Sequence, residues 1–111
     1  MDIKELIDRA KEVREKYAAL EKEKNDREWT RQELVQGFVA DVGDLVKLTM
    51  AKDGLREIMD ADRKLAHELS DCLWSIFVIA DKYGIDLEKE YLKTMDELEK
   101  RIENSSGFFS K

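Results

Sequence analysis

An all-α fold, with four helices gathered in one bundle, is what the chain predicts, and three observations carry it. There is no proline and there are only five glycines in 111 residues, so little interrupts a helix. The segments between the glycines are long amphipathic runs of Leu, Glu, Lys and Ala, a helix-favouring vocabulary. The length suits one compact domain of roughly 100–150 residues. A core of this size is modest, so association with further copies would add welcome burial.

The first helix is expected over about 2–24. Asp2 can cap it, with Glu5 at the capping-box position. Ile3, Leu6, Ala10, Val13, Tyr17 and Leu20 form a narrow stripe of coiled-coil spacing, which packs one seam and leaves the charged remainder to solvent. The pattern breaks over Asn25–Glu28. It restarts at Trp29-Thr30-Arg31-Gln32-Glu33-Leu34, where Thr30 and Glu33 have capping-box spacing and Trp29 with Leu34 that of a hydrophobic staple.

The second helix is expected over 31–52, stopped by Gly54, with Leu34, Val35, Phe38, Val39, Val42, Leu45, Val46 and Leu48 turned towards its neighbours. Gly37 and Gly43 lie inside it. Each costs about 1 kcal/mol against alanine, so close helix approach or access to a ligand is expected there. A loop or short turn covers 53–60. The third helix is expected over 61–83, capped by Asp60 or Asp62 and ended by Gly84, and the fourth over 87–103 with Leu87, Tyr91, Met95, Leu98 and Ile102 as its stripe. Residues 105–111 read as a C-terminal tail, in which Phe108 and Phe109 either dock on a neighbour or fray.

Within the third helix, only Ser75 is polar from Cys72 to Ala80, so that segment must be enclosed by other helices or another subunit. Glu68 and Asp71, three residues apart, sit at its entrance on one helix face. Two anions there need a retreat to solvent, a proton, a basic partner or a metal ion.

The net charge of −6 argues against a nucleic-acid backbone as partner, since such affinity rests on clustered Lys and Arg. It leaves room for a nucleotide held through metal ions. A lone cysteine, Cys72, forms no internal disulfide and fits a reduced, cytoplasmic setting. No segment approaches the ~20 apolar residues that span a bilayer, and the first residues lack the basic and apolar regions of a leader. No membrane association is expected.

The chemistry-bearing pattern is a pair of acidic helices. Asp41 and Asp44 on the second helix, and Glu68 and Asp71 on the third, each stand at i, i+3. A short connection makes these helices antiparallel neighbours, and if the faces meet, four carboxylates converge. Hard oxygen ligands without a second histidine or a cysteine cluster select Mg2+, with Mn2+ as substitute. Mg2+ shares ligands with substrate phosphates, which points to phosphate-ester chemistry. Among 26 acids, the competing reading is a solvated polar edge. A di-iron carboxylate bundle fails because it wants Glu-x-x-His, and His67 precedes Glu68. His67 reads as an exposed or hydrogen-bonded side chain.

Trp29-Thr30, Phe38-Val39-Ala40-Asp41-Val42-Gly43-Asp44-Leu45, Glu68-Leu69-Ser70-Asp71-Cys72-Leu73-Trp74 and Ala80-Asp81-Lys82-Tyr83-Gly84-Ile85-Asp86-Leu87, in that order, resemble the MazG-like all-α nucleoside triphosphate pyrophosphatases over roughly residues 28–102. The resemblance implies a four-helix bundle that assembles into dimers or tetramers, binds Mg2+ through an ExxE helix and an ExxD helix, and cleaves (d)NTP to (d)NMP and pyrophosphate. By position the metal-binding and catalytic acids are Asp41, Asp44, Glu68 and Asp71. Two departures stand out. The ExxE glutamates are aspartates here, each one methylene shorter, and the family's phosphate-contacting Lys and Asn of the fourth helix fall on Thr94 and Leu98. Lys93, Lys100 or Arg101 could stand in, or be plain surface charge. Trp29 either stacks on a base or only staples its helix. The competing functions are a non-catalytic helical assembly module and a phosphoribosyl-ATP pyrophosphatase.

Overall fold

Four helices follow one another in the computed structural model, which describes the backbone of residues 1–109 and the side chains of residues 1–105. They are α1 (Ile3–Asn25), α2 (Arg31–Lys52), α3 (Ala61–Lys82) and α4 (Leu87–Phe109). Among the described residues there is no strand, and no helix is long and apolar enough to cross a membrane.

Local chemistry accounts for most of the ends. Asp2 Oδ1 accepts from the Glu5 amide at 2.9 Å. At the start of α2, Thr30 Oγ1 accepts from the Glu33 amide at 3.2 Å while Glu33 Oε1 accepts from the Thr30 amide at 3.0 Å, so two of the amides that a helix start leaves unbonded are satisfied. Gly84 takes φ +68° behind α3, and the Ile85 amide reaches back to the Ala80 carbonyl at 2.9 Å; only glycine adopts that conformation freely.

Two ends depart from expectation. Asp60 precedes α3 in the left-handed region, φ 59°, and makes no side-chain cap. Its Oδ2 instead accepts from Arg63 Nε at 2.5 Å, and Asp62 pairs with Lys52. The fourth helix runs on to Phe109, six residues past the expected end, because no proline halts the ladder. The side chains of Phe108 and Phe109, for which docking or fraying was expected, lie outside the described ones.

α3 is the central element. α2 packs along it most extensively and α1 packs on it as well, while α4 has hardly any packing on the others. α2 and α3 are antiparallel neighbours: Gln32 Nε2 near the start of α2 donates to Tyr83 Oη behind the end of α3 at 3.2 Å, and Lys52 at the end of α2 pairs with Asp62 at the start of α3. α1 is fastened by Trp74 Nε1, which donates to the Ala10 carbonyl at 3.0 Å, and by Tyr17, whose ring centroid lies 5.7 Å from that of Trp74.

The stripe expected on α1 is only partly what packs. Ala10 is buried, but Leu6, Tyr17 and Leu20 are exposed, and Arg14 is buried in their stead. Arg14 is neutralised by Glu21, whose Oε1 also accepts from the Trp29 amide at 2.8 Å. One ion pair thereby fastens α1 to the entry of α2, and pairing is what makes a buried charge tolerable.

Enclosure of α3 is one-sided. Cys72, Phe77, Val78 and Ala80 are buried, whereas Leu73 and Ile76 are exposed, as are Val39 and Val46 of α2 and Tyr91, Leu92, Leu98 and Ile102 of α4. The radius of gyration is 18.1 Å, against about 13 Å for a compact domain of this length. The accessible surface of 8844 Å² exceeds by roughly 2,500 Å² the ~6,300 Å² of a compact 13 kDa monomer. The single chain is an extended helical layer with a bare apolar side.

Candidate functional site

Asp41 and Asp44 lie three residues apart on α2, and Glu68 faces them from the middle of α3. The antiparallel pairing that sets Gln32 beside Tyr83 and Lys52 beside Asp62 sets these acids opposite each other. One carboxylate oxygen from each of Asp41, Asp44 and Glu68 lies within 4.8 Å of the other two. Three of the four acids singled out in the sequence are therefore brought together. Asp71, the fourth, turns to His67, its Oδ2 3.2 Å from Nε2. His67 is exposed, one of the two readings the sequence allowed it.

The electrostatics are those of crowded anions. Asp41 titrates above the ordinary aspartate value, chiefly because burial disfavours its charge and then because Asp71 repels it. Glu68 is raised by burial, then by Asp41, Asp71 and Asp44. The Cys72 thiol below them is raised by burial and by the same acids. Glu68 Oε1 is out of contact with solvent and has no hydrogen-bond partner among the described residues. A buried acceptor left unpaired costs about 1–3 kcal/mol, and a cation ligated there would satisfy it while relieving the repulsion. Three convergent hard oxygens with one orphaned lone pair fit Mg2+, which takes few protein ligands.

A pocket of about 480 Å³ opens beside the acids, with Asp44 and Glu68 in its wall and Lys47, Arg63, Lys64 and His67 around them. The volume falls in the range of small-molecule sites. The sequence reading overlooked these basic groups, although a signal was present: Lys47 stands at i+3 from Asp44 and Lys64 at i−4 from Glu68, the spacings that share a helix face.

The other two candidates lie elsewhere. The Trp29 ring covers Gly37, where an added Cβ would come within 3.1 Å of Trp29 Cζ3. The glycine is thereby explained by close approach of the indole, and Trp29 does not line the pocket beside the acids. Lys93 is exposed on α4, the helix that hardly packs on α2 and α3. Gly43, between the two aspartates, faces open space. No family model, curated protein or solved structure matches the chain, so the geometry and residue chemistry of this site carry the functional argument.

Proposed function

We propose that the protein is a Mg2+-dependent nucleoside triphosphate pyrophosphohydrolase that releases pyrophosphate from (d)NTP. The observation that carries the reading is the convergence of Asp41, Asp44 and Glu68 within 4.8 Å, with the Glu68 acceptor buried and unpaired. The resemblance of the acidic motifs, in their order, to the MazG-like pyrophosphatases supports the substrate class, with phosphoribosyl-ATP as the alternative within it.

Asp41, Asp44 and Glu68 hold the metal in this reading, and Asp71 backs them from its pair with His67. Mg2+ held by these residues would supply neutralisation of phosphate charge and activation of a water for attack at the α-phosphorus. A carboxylate of the same cluster would accept the proton of that water. The bare apolar side of the layer favours assembly into a homodimer or homotetramer, in which α4 finds the packing it lacks in one chain.

That same apolar side supports a second reading, a non-catalytic helical assembly module. Pyrophosphate release from a panel of dNTPs, NTPs and phosphoribosyl-ATP, with and without Mg2+, separates the two. Mg2+-dependent turnover that Asp44→Asn abolishes, with helicity retained, is the expected result. Absence of turnover on every substrate, together with melting unaltered by Mg2+ and nucleotide, would sink the hydrolase and leave the module.

A further inference from the structure

We propose that the pocket walled by Lys47, Arg63, Lys64 and His67 is a diphosphate subsite, taking the two phosphates beyond the scissile bond of a triphosphate. The inference rests on the hydrolase reading for its orientation, and on the pocket itself for its ligand. In a chain of net charge −6, four basic side chains line this one pocket. Two of them are tethered: Arg63 Nε donates to Asp60 at 2.5 Å, and His67 Nε2 lies 3.2 Å from Asp71. The side chains of Lys47 and Lys64 have no ion pair or hydrogen bond among the described residues, and both residues are exposed. Lys47 comes from α2 and Lys64 from α3, so the two ammonium groups reach the pocket from separate helices.

Asp44 and Glu68 belong to the same wall and would repel a phosphate approaching alone. A ligand that places one phosphate against a cation on the acids and the next two among the lysines satisfies both halves. A pocket of about 480 Å³ has room for more than one phosphate beside the ammonium groups of Lys47 and Lys64. The acidic remainder of the surface disfavours an extended polyanion such as nucleic acid. The ligand class is accordingly a small diphosphate or the terminal diphosphate of a nucleotide.

The test is calorimetric titration at fixed ionic strength with inorganic pyrophosphate and with inorganic phosphate, each with and without Mg2+. The proteins are the unaltered chain, Lys47→Gln/Lys64→Gln, and Lys22→Gln/Lys24→Gln on α1, which changes net charge equally at a distance. Pyrophosphate should bind more tightly than phosphate. The pocket pair should weaken it about a hundredfold, roughly tenfold per charge-assisted contact, and the α1 pair by no more than about twofold. Equal weakening in the two variants, no preference for pyrophosphate, or no binding would overturn the subsite.

Failure of the hydrolase reading reads differently. Pyrophosphate binding that depends on Lys47 and Lys64 in a protein that turns over no nucleotide keeps the subsite and removes the hydrolase. Mg2+-dependent turnover with pyrophosphate binding indifferent to both lysines does the reverse.

Discussion

Replacing Asp41 by Asn should make the metal-free protein more stable and the metal-treated one less so. Asp41 has carboxylate oxygens of Asp44 and Glu68 within 4.8 Å. Two unit charges at that distance repel by about 0.9 kcal/mol in a medium as polar as water and by about 3.5 kcal/mol at an effective dielectric near 20. Asp44 is exposed, so the watery limit applies, and the pairs with Asp44 and Glu68 give about 1–2 kcal/mol after ionic screening, to which the repulsion by Asp71 adds. Asn keeps the shape and removes these repulsions. At about 4 °C per kcal/mol for a chain of this size, the midpoint in EDTA should rise by roughly 4–8 °C.

On the proposed metal site, Mg2+ at a hundredfold excess over its dissociation constant should stabilise the unaltered protein by about 2.7 kcal/mol, and the variant, short of one ligand, should gain much less. Differential scanning calorimetry of both proteins, in EDTA and across a Mg2+ series, reads the crossing directly. A variant that melts lower in EDTA, or that gains as much from Mg2+ as the parent, would refute the crowded-anion account of the site.

Three further outcomes are expected. In the absence of metal, Asp41 and Glu68 carry raised proton affinities from burial and from neighbouring charge, so above the ordinary carboxylate range the native state binds more protons than the unfolded chain and stability falls as pH rises through that window. Glu33 works oppositely: its hydrogen bonds from Arg27 and then from the Thr30 amide hold it down to about 2, and its contribution is lost as pH falls from the ordinary range towards that value. Denaturant midpoints against pH should therefore peak between the two limbs, and Asp41→Asn should flatten only the upper one. Gly43→Ala meets nothing within 4 Å and should add about 0.8–1 kcal/mol of helix stability, measured by urea unfolding. Ile102→Glu on α4, a side chain 67% exposed in the single chain, should lower the molar mass seen by light scattering while leaving helicity intact.

Much of the scaffold was legible because it depends on neighbours in sequence. The bounds of α2 agree with the expected 31–52 since Thr30 and Glu33 satisfy each other's amides locally, and Gly84 stops α3 because a left-handed residue is needed there. The face of α1 was less legible. Ranking positions by apolarity puts Leu6, Tyr17 and Leu20 inward, but Arg14 is the side chain that packs, since Glu21, seven residues on, cancels its charge. The acids divide for a similar reason: Asp41, Asp44 and Glu68 converge through helix pairing, whereas Asp71 Oδ2 lies 3.2 Å from His67, four residues back on its own helix, and acts on the other acids through its charge.

Sequence alone determined that the chain is helical, where α2 begins and ends and where α3 stops, and that acids sit one turn apart on each of them, because a capping box, a left-handed glycine and helical periodicity act over three or four residues. Only the tertiary structure decided that three carboxylates share one small volume, that Lys47 and Lys64 flank it from separate helices, and that α4 and one side of α3 stay bare. Those outcomes depend on which helix lies against which, and spacing along a single helix can place residues on one face but cannot say what that face meets.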